Sequence, residues 1–158
     1  MTIRALDGDD FASVLALNEQ AVQKLSPMTR NQLCAYLAMA TIALVAEADG
    51  RIAAFALAFE PATRYGSINY RWHAERFDDF LYLDRIAVSP DFRRRGIASE
   101  LYDEMERLAA AHGRMVCEVN SNPPNVESLR FHSLRGYRRL GYLVQADGHE
   151  TVMLEKPL

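Results

Sequence analysis

The segment Phe80–Val88 (FLYLDRIAV) is almost wholly apolar, as a strand covered on both faces must be. Its interruptions, Asp84 and Arg85, are neighbours of opposite charge. Ser89-Pro90 ends the strand, because proline has no N–H to donate to the ladder. After Arg93–Gly96 a helix begins, with Ile97, Leu101, Met105 and Leu108 on one stripe and Glu100, Asp103, Glu104 and Arg107 largely outside it. Gly113 closes that helix, and Arg114–Asn120 supplies a second buried strand through Met115, Val116, Cys117 and Val119. A strand–helix–strand unit of this kind requires a sheet with helices on both faces.

The flanks read as hairpins and further helices. Thr2–Leu6 is a short strand, followed by a turn at Asp7–Asp10 and a helical pattern at Phe11, Val14, Leu15, Leu17 and Val22. Ser26-Pro27 breaks this helix, and Thr29 can cap a second carrying Leu33, Tyr36 and Leu37. Thr41–Ala48 and Arg51–Phe59 are strands joined by Asp49-Gly50, a strong hairpin signal. Pro61–Asp79 is polar, aromatic and irregular, and a connection that long is more often functional than accidental. Asn125 can cap a helix over Val126–Leu134, which Gly136 ends. Tyr137–Val144 and Glu150–Leu154 form a last pair of strands around Asp147-Gly148. The expectation is an α/β chain: one domain over 1–158, with a mixed sheet of about seven strands and about four helices.

Composition excludes several classes. The 158 residues suffice for one core, and 49% hydrophobic with 25% charged residues is an ordinary globular balance. A net charge of −3 gives no basic field for nucleic acid, although a local cluster can still hold an anion. Cys34 and Cys117 fit no metal or redox spacing and read as buried free thiols. Asp7, Asp9 and Asp10 do not fit a secretory signal, and the longest apolar stretch, Ala35–Ala46, is about half a membrane span. A cytoplasmic location is expected, with no membrane partner and no metal.

The run Asp91–Ala98 (DFRRRGIA) has chemical meaning because it lies between a buried strand and a helix. The first helical turn leaves N–H groups free and adds partial positive charge. Gly96 allows close backbone approach, Ala98 keeps the next position small, and Arg93, Arg94 and Arg95 are fork-shaped donors for phosphate oxygens. The alternative is a basic solvated loop entering a surface helix. No Gly-Lys-Ser/Thr or GxGxxG pattern is present, which argues against a P-loop or a dinucleotide fold.

The stretch Leu83–Ala98 (LDRIAVSPDFRRRGIA) resembles the central motif of the GNAT superfamily of N-acetyltransferases. That pattern is a strand, then Gln/Arg-x-x-Gly-x-Gly/Ala, then a helix, with Arg93, Gly96 and Ala98 at its defining positions. Glu118-Val-Asn120 and Asn125…Phe131-His132…Gly136-Tyr137 are similar to the family's second cofactor motif. The resemblance implies a GNAT-like acyl-CoA N-acyltransferase fold with acetyl-CoA as co-substrate. It places the backbone of Ile86, Ala87 and Val88 along the pantetheine. The N–H groups around Arg94, Arg95, Gly96, Ile97, Ala98 and Ser99 would lie on the pyrophosphate. Asn120 would contact the cofactor, Asn125 would hydrogen-bond the pantetheine and His132 would border the CoA sulfur, with the thioester between the Phe80–Val88 and Arg114–Asn120 strands. Asn125 is explained equally well as a helix cap.

Acetylating an amine needs a proton acceptor, because an alkyl ammonium is mostly charged at neutral pH. The amine attacks the thioester directly in a ternary complex, so no protein nucleophile is required. Glu118, a charge inside an apolar strand, is the candidate base. A glutamate at the matching point serves as base in similar ribosomal-protein N-acetyltransferases. Pairing with an arginine across the sheet, or facing solvent, are its structural alternatives. Asp84 and Glu60 rank behind it, with a salt bridge to Arg85 the better reading of Asp84. His132 stands where many family members place a tyrosine that protonates the leaving thiolate, so it is the candidate acid, against a plain structural histidine.

Acceptor choice falls to Lys24–Arg30 and to the long loop, where Tyr65, Tyr70, Trp72 and His73 can line a pocket for a cationic or aromatic amine. They can equally pack the loop onto the sheet or form a homodimer surface. The partners expected are acetyl-CoA and a small amine, an amino acid or a protein N-terminus. Two other readings are a catalytically weak acyl-CoA-binding sensor and, less favoured, a nucleotide-binding regulatory domain.

Overall fold

The computed structural model describes residues 1–22, 24–39 and 41–158. In chain order these form β1 (Thr2–Ala5), α1 (Phe11–Gln20), α2 (Arg30–Ala38), β2 (Thr41–Ala48), β3 (Arg51–Phe59), α3 (Ile68–Ala74), β4 (Leu81–Val88), α4 (Ile97–Ala109), β5 (Arg114–Asn122), α5 (Val126–Leu134), β6 (Arg138–Val144) and β7 (Glu150–Pro157). The seven strands make one mixed α/β sheet in the order β1-β2-β3-β4-β5-β7-β6. Only β4 and β5 pair in parallel; the other neighbours are antiparallel.

Local chemistry sets most boundaries where the sequence predicts them. Asp49 (φ 53) and Gly50 (φ 70) both take left-handed backbone, so two residues close the β2–β3 hairpin with Ala48 opposite Arg51. Thr29 Oγ1 accepts from Gln32 N at 3.1 Å while Gln32 Oε1 accepts from Thr29 N at 2.8 Å, a reciprocal cap on α2. Asn125 Oδ1 accepts from Ser128 N at 3.3 Å and starts α5.

Two expectations change. The Pro61–Asp79 connection contains α3, begun by Ser67, whose Oγ accepts from Tyr70 N at 3.4 Å. With seven residues and two consecutive aromatic rings at Trp72-His73, α3 carries too short a pattern to stand out from a loop. Cys34 is exposed rather than buried, because Leu33 beside it turns to the core and adjacent helical residues do not share a face. Cys117 is buried as expected. The apolar stretch Ala35–Ala46 divides between α2 and β2, with Ala40 outside the described residues. Among the described residues no helix is long and apolar enough to cross a membrane.

The sheet is covered on both faces. On one, the α4 stripe Ile97, Leu101 and Met105 packs with Leu81, Leu83, Met115 and Val119. On the other, Val14, Leu17 and Leu33 of α1 and α2 cover Val45, Phe55 and Leu57. Next to this lies an aromatic cluster of Phe59, Tyr70, Phe80 and Tyr82 with Val116, against which Tyr65 and Phe77 pack.

His73 of α3 is fully buried here, its ring facing the Cys117 backbone without reaching good hydrogen-bond geometry. Burial pushes its pKa down from 6.5 to about 4. Below pH 6.5 the unfolded chain takes a proton that the folded chain refuses, so stability falls as pH drops toward 4, by up to about 3 kcal/mol. Unfolding midpoints at pH 7 and pH 5 should therefore differ substantially in the native chain and clearly less in His73→Leu.

Candidate active site

β4 and β5 touch only briefly. Their parallel pairing consists of Leu81 with Met115 and Tyr82 with Val116, after which they diverge. On its other edge β4 stays paired with β3 through Val88 opposite Ala54, across an irregularity that leaves Asp84 as an extra residue between Leu83 and Arg85. A bulge bends its strand and sharpens the twist, which fits a strand leaving its neighbour. On the edge facing the gap, the backbone groups of Leu83–Val88 meet no strand. Ile86, Ala87 and Val88 thus line one side of a wedge-shaped notch.

Beyond the notch the chain makes a tight basic turn. Arg94 (φ 62) and Gly96 (φ 78) take left-handed backbone, a conformation that turns successive N–H groups toward one side. Gly96 is the N-cap of α4, which has no side-chain cap, whereas α2, α3 and α5 are capped by Thr29, Ser67 and Asn125. The first N–H groups of α4, at Ile97, Ala98 and Ser99, accordingly remain available to an anion. Arg95 is engaged with Asp49 at 2.8 Å, and Arg51 with Asp91 at 2.7 Å, both guanidinium groups lying 5.1 Å from the Phe92 ring. Arg93 and Arg94 are exposed and, among the described residues, form no ion pair.

Glu118 stands at the vertex of the notch. Its Oε1 accepts from Tyr82 OH across the gap at 2.8 Å and from Asn69 Nδ2 of α3 at 3.0 Å. Its Oε2 is buried with no hydrogen-bond partner among the described residues. Among the described residues no arginine pairs with it, so the structural alternative of a cross-sheet ion pair is not realised. Burial, reinforced by the charge of Asp84, pushes its pKa from 4.5 up to about 8, against the opposing pull of the Tyr82 and Asn69 donors. A carboxyl titrating there can both take and release a proton near neutrality.

Asp84 is placed differently. It receives Arg85 Nε and Tyr65 OH, both at 2.7 Å. Arg85 is itself buried and reaches Asn18 Oδ1 at 3.1 Å and Ser26 O at 3.1 Å, tying the α1–α2 connection to β4. Glu60, beside Thr63 and Tyr70 in the loop, lies 3.9 Å from His112 Nε2 and away from Glu118's hydrogen bonds.

His132 is 5% exposed. Its Nδ1 donates to Ser128 O at 2.7 Å, leaving Nε2 to accept from Tyr102 OH at 2.7 Å. Burial lowers its pKa, so the ring is neutral with both nitrogens satisfied. That geometry suits a structural histidine fastening α5 to α4 better than the free acid expected from the sequence. Asn120 lies on β5 with its carbonyl accepting from Asn125 N at 3.0 Å, and the Asn125 side chain is engaged in its cap. The loop aromatics pack inward: Tyr65 stacks on Phe59 with centroids 3.9 Å apart, and Tyr70 OH donates to Glu60 O at 2.8 Å. Sequence reasoning missed Tyr82, Asn69 and Tyr102. The tyrosines merge into apolar patterns and Asn69 lies in an irregular stretch, so none carries a signal of its own.

A model of the GNAT acetyltransferase family matches residues 11–137. The chain belongs to that family. It is a family that uses acetyl-CoA as co-substrate, and the matched range includes β4, the basic turn, α4, β5 and α5. Solved structures agree on the GNAT fold. Ard1 from Thermoplasma volcanium superposes with a TM-score of 0.78 at 18% identity, covering 99% of this chain and 97% of that one. Ribosomal-protein-alanine N-acetyltransferase from Brucella melitensis gives 0.74 at 18% identity with all of both chains covered. Naa20 of Chaetomium thermophilum, solved with a bisubstrate analogue, gives 0.78 at 17% identity, covering 100% of this chain and 87% of that one. No curated protein sequence matches the chain.

Gly96 offers a direct check on the turn. A Cβ there meets no atom within 4 Å, so Gly96→Ala is not a steric clash, but φ 78 strains any side chain. The variant should lose about 1 kcal/mol of stability and bind CoA several-fold more weakly by calorimetry.

Proposed function

We propose that this GNAT domain is an acetyl-CoA-dependent N-acetyltransferase whose general base is Glu118. The observation that carries the reading is the junction of the splayed β4–β5 notch with a buried carboxyl that has one oxygen held and one free. Acetyl-CoA would lie with its pantetheine amides along Ile86, Ala87 and Val88 and its pyrophosphate over Arg93–Ser99, where Arg93 and Arg94 supply unpaired charge. The thioester then reaches the vertex beside Glu118.

An acceptor ammonium entering there passes its proton to Glu118 Oε2 through one water, because that oxygen is itself enclosed. Ionised Glu118 takes one proton, and the free amine attacks the thioester carbon; the C–S bond breaks, with the electron pair leaving on sulfur as CoA thiolate. As the amide forms, the nitrogen gives its second proton to the departing thiolate, so the products are an N-acetyl amine and CoA thiol, and the proton on Glu118 passes to water. In this reading His132 and Tyr102 hold α5 against α4 behind the thioester. The acceptor class is an amine that is cationic in solution: a small amine, an amino acid or a protein N-terminus. A cytoplasmic location fits this chemistry, since acetyl-CoA is an intracellular metabolite.

Turnover of an amine panel, followed by free-thiol release, tests this. Activity should rise with pH toward about 8, as Glu118 ionises. Glu118→Gln should lose 10²–10⁴-fold at neutral pH and recover above pH 10, where amines deprotonate unaided. Because burial makes ionised Glu118 costly, its folded pKa is raised, and the native chain loses stability as pH climbs from 4.5 through about 8. The same variant should thus melt higher than the native chain at pH 8.5, but not at pH 4. Unchanged turnover in Glu118→Gln removes Glu118 as base. Stabilisation by CoA without turnover on any amine would favour a sensor instead.

A further inference from the structure

Resting on the reading of Glu118 as base, we propose that Asn69 and Gln145 are positioning residues: Gln145 fixes the amide of Asn69, and Asn69 holds Glu118 Oε1 so that Oε2 faces the acceptor. The hydrogen bonds run in one direction. Gln145 Nε2 donates to Thr151 Oγ1 at 3.0 Å and to Asn69 Oδ1 at 2.8 Å, and Asn69 Nδ2 donates to Glu118 Oε1 at 3.0 Å. Thr151, almost fully buried, donates in turn to Leu143 O at 3.3 Å. Both ends of the relay are anchored. Gln145 N donates to His149 O at 2.7 Å and Gly148 N donates to Gln145 O at 2.9 Å, which fixes the residue in the β6–β7 turn. Asn69 lies in the first turn of α3, which is packed to the sheet through Tyr70 and His73.

The donor order matters because an amide has two faces. With Gln145 Nε2 pointing at it, Asn69 must present its oxygen to Gln145 and therefore its NH2 group to the carboxylate. Reversing Asn69 would set its oxygen against Glu118 Oε1, which is tolerable only if that oxygen carries a proton. The relay accordingly favours the ionised base and connects the long loop and the last hairpin to the reacting centre. The charged and titratable groups acting on the Glu118 carboxyl are Tyr82, Asp84 and Arg85 of β4, the Cys117 thiol of β5 and Tyr102 of α4. Gln145 bonds to none of these, so its influence passes through Asn69.

A carbon NMR titration of the Glu118 carboxyl, assigned as the resonance missing from Glu118→Gln, reads the relay without relying on catalysis. Asn69→Ala removes a donor to the charged form and should raise the midpoint by about one pH unit. Gln145→Ala should raise it in the same direction by less, and the double variant no further than Asn69→Ala alone. Both side chains are only half-buried, so folding should survive; Asn69→Ser gives a milder second variant. The acidic limb of kcat/KM should move with the NMR midpoint. An unmoved midpoint in Asn69→Ala, or additive effects in the pair, overturns the relay. A moved midpoint with an unmoved kinetic limb supports the relay and instead overturns Glu118 as base.

Discussion

Past Tyr82, β4 has a partner strand on one edge only, and the chemistry of the molecule is arranged around that fact. A central strand normally satisfies its backbone on both sides, since unpaired N–H and C=O groups are costly unless water or a ligand meets them. Here Leu83–Val88 keeps β3 on one side and opens on the other. Two features hold it open. Asp84 is accommodated as an extra residue, bending the strand, and Arg85 anchors the bend to the α1–α2 connection through Asn18 and Ser26. Removing one member of such a buried ion pair typically costs about 3–5 kcal/mol, so the notch is built on a firm framework.

Two carboxyls on neighbouring strands then acquire different characters from their surroundings. Asp84 is matched by a full positive charge at 2.7 Å. Among the described residues Glu118 has only neutral donors, Tyr82 and Asn69, on one oxygen and none on the other. A charge with a cation beside it is a structural element, whereas a buried carboxyl without one is poised to change its protonation state. His132 illustrates the opposite outcome. Its ring is enclosed, hydrogen-bonded at both nitrogens and neutral, an arrangement that suits the packing of α5 against α4.

Much of this was legible in the sequence because local rules and the global fold agree. The Asp49-Gly50 hairpin, the Thr29 and Asn125 caps, the α4 stripe and the basic turn each have a short-range cause and lie where the pattern puts them. Glu118 was visible as a charge where apolar residues belong. What surrounds it was not, because Asn69, Tyr82 and Gln145 are brought together by strand order and loop packing, 49, 36 and 76 residues apart in their respective bonds. Cys34 and α3 were misread for a related reason. One residue on a helix turns by about 100°, and a seven-residue helix repeats its period barely twice.

The central claim is that the open β4 edge and the Arg93–Ser99 turn together hold CoA. Hydrogen–deuterium exchange of the chain with and without CoA measures this at the backbone itself. Slower exchange confined to amides within Leu83–Val88 and Arg94–Ser99 is the result the account predicts. CoA binding that leaves both segments unprotected, or that protects a different face of the sheet, would contradict it.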